Sequence, residues 1–278
     1  MPAIFEYSFM IRALIGGAMV GALAPALGMF LILRRFSLIA DTLSHVAFMG
    51  VAIGLLTHTF PPLAALGATS LAAVGIDQAR ARRMMPGDAA LAVFLYAALA
   101  VAVVVISLAG GFSVDLFGYL FGSVLTIDPR DLWLVAGLMV VVVSFVAMFF
   151  PELAQTSFDS DLAHTSGVRV NWVNLALAVL TGATITLSMR IVGVLLVGAL
   201  IVIPVIASLR LATGLRTAIA TAMALGVFSS LTGLTIAFYA NVAAGGAVVL
   251  TAVGVLVLVE VGAAIAEQME RRRANEAS

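Results

Sequence analysis

The stretch "LGMFLILRRFSLIADTLSHVAFMGVAIGLL" (residues 27–56) places two apolar runs on either side of an Arg-Arg pair. The first run continues back to about residue 8, and the second ends near residue 57. Roughly 20 apolar residues in a helix span a bilayer, so each run is long enough to cross it. The stretch therefore predicts a helical membrane hairpin that turns at Arg34 and Arg35.

The composition extends this interpretation to the whole chain. Of the 278 residues, 63% are hydrophobic and 10% are charged, whereas a soluble domain is about half apolar and about a quarter charged. Such a chain has too little polar surface to face water on all sides. The apolar runs are long and lack the alternation of barrel strands, which predicts an all-α integral membrane protein.

Nine apolar segments can be delimited along the sequence. They are residues 8–33, 37–57, 61–76, 88–109, 131–150, 171–189, 191–208, 216–240 and 247–266. The segment 61–76 is short, and 171–189 continues almost without a break into 191–208. We therefore expect a polytopic bundle of eight or nine transmembrane helices that forms a single domain over residues 1–278.

The arginines orient this bundle. Basic residues concentrate on the cytoplasmic side of membrane proteins, and all fourteen basic residues of this chain are Arg. With nine crossings and Arg34 inside, eleven arginines are cytoplasmic and only Arg12, Arg130 and Arg190 lie outside. This bias predicts an N-terminus outside and a cytoplasmic tail at residues 267–278.

Two polar stretches interrupt the apolar pattern. "PELAQTSFDSDLAHTSGVRV" (151–170) is rich in Ser, Thr and Asp, falls on the cytoplasmic side and is long enough for a short surface helix. "VDLFGYLFGSVLTIDPRD" (114–131) falls on the outer side, where Gly118, Gly122 and Pro129 interrupt it. We interpret the second stretch as a loop that dips back into the protein.

Asp41 and His45 are the residues that could carry chemistry inside a predicted span. Their i, i+4 spacing places them on one helix face, and Met49 continues that face as a packing residue. Carboxylate oxygen and neutral imidazole nitrogen together suit Zn²⁺, Mn²⁺ or Fe²⁺. The alternative is a buried Asp–His hydrogen bond that only fixes the helix, and spacing alone leaves both readings open.

Other polar residues give weaker signals. Glu260 lies deep in the last segment and is either a membrane-buried acid or a helix-end residue. His58 is interpreted as an exposed loop residue, with a ligand near the outer mouth as the alternative. We expect Asn241 to be a turn residue and His164 to lie at the surface.

Several functional classes are excluded or disfavoured. The chain has no Lys, so it cannot contain a Walker A motif, and ATP hydrolysis would have to come from a partner. It has no Cys and no His-Glu-x-x-His motif, which removes thiolate sites and that class of metalloprotease. No basic patch with interleaved aromatic residues indicates nucleic acid as a partner.

Four blocks in order make the chain resemble the membrane permeases of metal-ion ABC importers. In the first, Arg34-Arg35 is followed by Ser37, Asp41, His45 and Gly50. The others are "VDLFGYLFGSVLTI" (114–127), in a form similar to zinc permeases, "FDSDLAHTSGV" (158–168) and "MRIVGVLLVGALIVIPVIASLRLA" (189–212). The resemblance runs over about residues 8–260.

The resemblance implies a multi-pass permease of the bacterial inner membrane that carries no enzymatic activity of its own. It implies a homodimer in the lipid bilayer, soluble ATPase subunits on the cytoplasmic side and a metal-loaded binding protein outside. Asp41 and His45 match positions that coordinate the transported divalent metal, with zinc favoured and no permanently bound cofactor. A coupling segment at about 152–168 would dock the ATPase, through Phe158, Asp159, Asp161 and Gly167.

The chain departs from the family pattern at one site, and three alternatives to a zinc permease stay open. Asn241, Ala243 and Gly245 stand where the family often has Asp-x-Pro-x-Gly, so we assign no ligand there. The first alternative is an ATP-independent secondary transporter of divalent metals. The others are manganese or iron as the substrate in place of zinc, and a membrane enzyme.

Overall fold

The computed structural model describes residues 6–34, 36–81, 87–111, 114–122 and 127–276, and this part of the chain is built from twelve α-helices. Their bounds are α1 Ser8–Leu33, α2 Ser37–Leu56, α3 Pro61–Ala81, α4 Gly87–Leu108, α5 Val114–Phe121, α6 Pro129–Met148, α7 Phe150–Phe158, α8 Ser160–Thr165, α9 Val170–Ser188, α10 Val194–Leu211, α11 Leu215–Ala240 and α12 Ala244–Glu276. The all-α class predicted from the sequence is confirmed.

Seven of these helices are long and apolar enough to cross a membrane: α1, α2, α4, α6, α9, α11 and α12. Helix α10 is a shorter apolar helix of 18 residues. Helix α3 carries Asp77 and Arg80 near its end, yet its 21 residues would rise about 30 Å, close to the hydrocarbon thickness of a bilayer. The nine helices of 18 residues or more correspond to the nine predicted segments.

The bundle has a buried centre and an apolar periphery. Helix α1 is buried along most of its length and packs on α11, α10 and α6, while α2 packs on α3, α4, α9 and α10. Helices α4, α6 and α12 are mostly exposed and present large apolar side chains such as Leu108, Trp133 and Leu250. Exposed apolar helix faces of this kind are suited to contact lipid.

Small residues allow the central helices to approach closely. A Cβ atom added to Gly21 of α1 would lie 2.6 Å from the Gly226 carbonyl oxygen of α11. Pro25 lies one turn beyond Gly21 and has no N–H with which to bond the Gly21 carbonyl. Close backbone contact at glycine is a common way for membrane helices to associate, because lipid gives no hydrophobic drive between them.

The structure differs from the sequence-based predictions in detail. The polar stretch 151–170 forms most of two short helices, α7 and α8, and the stretch 114–131 contains α5. Helices α9 and α10 are separated by a turn at 189–193, and α12 continues to Glu276, ten residues beyond the predicted segment. Arg35, Arg82 and Arg83 lie outside the described residues.

Candidate functional site

Helix α2 carries the site because four neighbouring helices cover only part of its surface. Thr42, Leu43 and Ser44 are fully or almost fully buried, and the Thr42 hydroxyl donates to the Leu91 carbonyl of α4 at 3.2 Å. The Asp41 side chain is 54% exposed and that of His45 is 20% exposed. The described part of the chain therefore leaves the Asp41–His45 face of α2 accessible in the middle of a crowded bundle.

The geometry of the pair bears on the two interpretations that the sequence left open. His45 Nε2 lies 3.9 Å from Asp41 Oδ1, which is too long for a hydrogen bond. His45 Nδ1 is buried and has no hydrogen-bond partner among the described residues. A histidine kept only for helix structure would be expected to satisfy its buried nitrogen, because leaving it unpaired costs free energy.

The same geometry suits a shared ion. Two metal–ligand bonds of about 2.1 Å each reach across the gap between Nε2 and Oδ1. Among the described residues no group of three His, Cys, Asp or Glu side chains could hold a metal. Met49, one turn after His45, is a partly buried packing residue of the core. The arrangement is an open two-ligand set and is unlike a closed structural cage.

The remaining polar candidates lie elsewhere. Glu260 pairs with Arg210 of α10, with 3.0 Å between Oε1 and Nε. Asn241 adopts the left-handed conformation that ends α11, as expected for a turn residue, and His164 is exposed on α8. His58 is also left-handed and exposed in the turn between α2 and α3.

The predicted docking residues form an exposed elbow between α7 and α8. Phe158 ends α7 with 72% of its surface exposed. Asp159 Oδ1 accepts hydrogen bonds from the backbone N–H groups of Asp161 and Leu162 at 3.0 and 2.9 Å, so it caps α8. Gly167 follows α8 with a positive φ of 86° and open space around it.

Sequence reasoning missed two features of this elbow. Leu162 is 65% exposed, so the elbow carries a second large exposed apolar side chain in addition to Phe158. The carboxylate of Asp159, which is also a predicted docking residue, is engaged in the cap. The spacing of Asp159 just before a short polar helix is a helix-start signal that could have indicated this role.

A third feature that sequence reasoning missed is the set of contacts made by Arg34. Its Nε donates to Ser157 Oγ at 3.1 Å, Nη2 donates to the Leu153 carbonyl at 3.3 Å, and Nη1 donates to Asn174 Oδ1. Burial, together with the nearby positive charge of Arg80, lowers the pKa of Arg34 to about 10. The guanidinium therefore remains charged at neutral pH while it joins α1 to α7 and α9.

Nearly the whole sequence matches the pattern of one protein family. The sequence model of the ABC 3 transport family matches residues 6–262. The chain belongs to the ABC 3 transport family. The match covers all of the long helices except the end of α12, and it includes both the Asp41–His45 pair and the α7–α8 elbow.

Two relatives are similar to this ABC 3 family member over nearly their whole length. The manganese import system permease protein ScaB of Streptococcus gordonii is 33% identical over 251 residues, which cover 90% of each chain. The high-affinity zinc uptake system membrane protein ZnuB of Haemophilus influenzae is 29% identical over 252 residues, or 91% of this chain and 97% of that protein.

A solved structure of PsaBC from Streptococcus pneumoniae in complex with Fab superimposes with a TM-score of 0.82. The two chains are 31% identical, and the alignment covers 92% of each. The polytopic arrangement of this ABC 3 family member is therefore shared with an experimentally determined relative.

Proposed function

We propose that the chain is the permease subunit of an ABC importer that moves a divalent transition metal into the bacterial cytoplasm. The observation that carries the proposal is the open Asp41–His45 pair, with 3.9 Å between its facing atoms and an unpartnered imidazole nitrogen. A transport site must bind its ion and then release it. Two ligands per chain suit that requirement better than four, which form closed structural sites.

Other subunits of the proposed assembly supply the functions that this chain lacks. The chain has no Lys for a Walker A motif, so soluble ATPase subunits supply ATP hydrolysis, and an extracytoplasmic protein delivers the metal. The accessible face of α2 meets the same face of a second copy in a homodimer. The partner chain or water then provides the remaining ligands of the metal.

Zinc and manganese are the proposed cargoes. The "VDLFGYLFGSVLTI" block resembles zinc permeases, and an imidazole ligand suits Zn²⁺. The carboxylate of Asp41 suits Mn²⁺ equally, and the relative from Streptococcus gordonii carries manganese in its name. An uptake experiment with both metals assigns the substrate directly.

We further propose that the α7–α8 elbow docks the ATPase subunits. Phe158 and Leu162 supply the exposed apolar contacts that a protein partner would bury. Asp161 adds an exposed carboxylate in the first turn of α8. Asp159 contributes by holding the backbone of the elbow in shape, and Gly167 by ending α8.

The deciding experiment measures zinc and manganese uptake into proteoliposomes that contain the complete complex, with ATP on the ATPase side. We expect ATP-dependent uptake by the wild type and its loss in Asp41→Ala and in His45→Ala, since each change removes half of the ligand set. The matched control is His58→Asn, which removes an exposed histidine and keeps a residue type that tolerates the left-handed conformation.

Other results of these measurements would favour other functions. Equal uptake by wild type and both alanine variants would remove the ligand assignment and return the pair to a structural role. Uptake by the permease alone, without ATP, would favour a secondary transporter. A hydrolytic activity that persists in the purified single chain would favour a membrane enzyme.

A further inference from the structure

Arg34 lies between the α7–α8 elbow and α2, the helix that carries the Asp41–His45 pair. Its guanidinium donates to Leu153 and Ser157 of α7 and to Asn174 of α9, which lie 119, 123 and 140 residues away in sequence. These contacts use three different nitrogens of one planar group. Arg34 therefore fixes the end of α1 against two other elements at the same time.

Only two residues separate Arg34 from the start of α2. Helix α1 ends at Leu33, Arg34 is its C-terminal cap and α2 begins at Ser37. The backbone N–H of Phe36 donates to the Leu31 carbonyl at 2.8 Å, which closes the turn tightly. Asp41 lies one helical turn after Ser37, so only a short stretch of chain separates Arg34 from the Asp41–His45 pair.

A cation–π contact also holds this turn. The Arg80 guanidinium carbon lies 3.5 Å from the centre of the Phe36 ring, a geometry in which the ring attracts the cation. The ends of the turn between α1 and α2 are thus joined to α7 and α9 through Arg34 and to α3 through Arg80.

The acceptors of Arg34 suit a contact between helices that can move relative to one another. All three are neutral: a hydroxyl, an amide oxygen and a backbone carbonyl. Hydrogen bonds from a charged group to neutral acceptors are strong enough to position it, but they lack the added attraction of an ion pair. The low pKa of Arg34, near 10, reflects the same burial without a carboxylate partner.

We propose that Arg34 is the positioning residue that transmits movement of the docking elbow to the Asp41–His45 pair. The inference rests on the proposed function, because it assigns to Arg34 the coupling between ATP turnover in the docked subunits and access to the metal site. Arg34 does not contact the metal. It acts through α2 by carrying the displacement of α7 into the first turn of that helix.

The test uses Arg34→Lys, which keeps the positive charge but replaces a planar fork with a single ammonium that cannot hold three separated acceptors. Because the natural chain has no Cys, Leu38→Cys gives a single reporter thiol in the first turn of α2, at a side chain that is 48% exposed. Reaction of this thiol with a maleimide is timed with and without ATP in the complete complex, alongside ATP turnover and metal uptake.

We expect ATP to change the labelling rate of the reporter in the otherwise unaltered complex and not in the Arg34→Lys complex, while ATP turnover persists. Metal moved per ATP should fall by about tenfold or more, as expected when a site is misplaced by a distant change. Ser157→Ala and Asn174→Ala each remove one acceptor and should give smaller losses. The matched control is Arg210→Lys, at the cytoplasmic end of α10 beside Glu260.

The outcomes are distinguishable. An ATP-dependent change in labelling that is the same with Arg34→Lys, or absent even with Arg34 intact, would overturn the inference. Parallel loss of assembly and ATP turnover in the Lys variant, with full coupling in Ser157→Ala and Asn174→Ala, would also overturn it by showing only a structural role. If the labelling results hold and no complex takes up zinc or manganese, the proposed cargo is wrong and the coupling role stands.

Discussion

At the residue scale, the informative feature is a pair of polar side chains that do not hydrogen-bond to each other. Asp41 and His45 lie one helical turn apart, yet their facing atoms are 3.9 Å apart and no hydrogen bond joins them. A turn of helix fixes the separation of the two Cβ atoms, and the 3.9 Å gap is one that two metal–ligand bonds of about 2.1 Å could bridge. On the proposed function, the pair binds the metal without a change in the backbone of α2.

This view predicts that changing the ligand type changes the metal preference. In His45→Asp the imidazole is replaced by a second carboxylate, which suits manganese better than zinc. We expect the ratio of manganese uptake to zinc uptake to rise. The ratio is measured by competition between the two metals in proteoliposomes.

The control for this prediction is the same substitution at an exposed histidine. His58→Asp lies in the turn between α2 and α3, where Asp also tolerates the left-handed backbone. Its uptake ratio should match that of the wild type. A wild-type ratio in His45→Asp would mean that His45 does not touch the transported ion.

At the element scale, the break between α9 and α10 is set by close backbone packing. Gly193 has φ 97° and ψ 140°, a conformation that side chains with a Cβ rarely adopt. A Cβ atom there would lie 2.6 Å from the Gly122 nitrogen and 2.5 Å from the Phe121 carbonyl carbon, just after α5. The Arg190–Asp131 ion pair, at 3.0 Å, joins the same turn to the start of α6.

We predict that Gly193→Ala destabilises the protein. The backbone conformation alone should cost about 1–3 kcal/mol, and the contact with Gly122 has no flexible side chain that could yield. The thermal unfolding midpoint in detergent should fall by several degrees. The measurement is fluorescence-detected unfolding of the purified permease.

Gly137→Ala is the matched control for this substitution. Gly137 lies inside α6 with nothing within 4 Å of an added Cβ atom. Alanine is favoured over glycine in a helix by about 0.5–1 kcal/mol, so this variant should keep or slightly raise the midpoint. Equal midpoints for the two variants would contradict the packing argument.

At the scale of the whole molecule, the α7–α8 elbow and the turn after α11 lie at opposite ends of the helix bundle. Arg34 and Arg80 lie at the end of the bundle that carries α7 and α8, in keeping with the arginine bias of the sequence. The turn after α11 lies at the other end, where Val242 is 55% exposed. The arginine bias predicts that the N-terminus lies outside and that the end of α12 and the α7–α8 elbow lie in the cytoplasm.

Single cysteines test this topology. We expect a membrane-impermeant maleimide to label Val242→Cys in intact cells and to label Leu162→Cys only after the inner membrane is opened. Addition of the ATPase subunits should protect Leu162→Cys, because the elbow is then buried, and leave Val242→Cys unchanged. Labelling of Leu162→Cys from outside would reverse the topology, and absence of protection would move the docking surface elsewhere.

Much of the fold follows from local sequence properties. Each of the nine long helices coincides with a predicted apolar segment, because runs of about 20 apolar residues have few other stable forms in lipid. The boundaries were less accurate where polar residues continue a helix. Helix α3 reaches Ala81 and α12 reaches Glu276, both beyond the apolar segments that suggested them.

The sequence by itself determined that this is an all-α membrane protein, that Asp41 and His45 share a helix face, and that no ATPase motif is present. These properties depend on residues a few positions apart or on composition. Only the tertiary structure decided that the pair lacks a mutual hydrogen bond, that Gly193 packs on Gly122, and that Arg34 reaches α7 and α9. The last two depend on how helices from distant parts of the chain come together, and the Arg34–Asn174 contact spans 140 residues. The first lies within one helix and depends on side-chain conformations that the i, i+4 spacing does not fix. Helical periodicity fixes which face a residue occupies, but close packing between helices decides what that face meets.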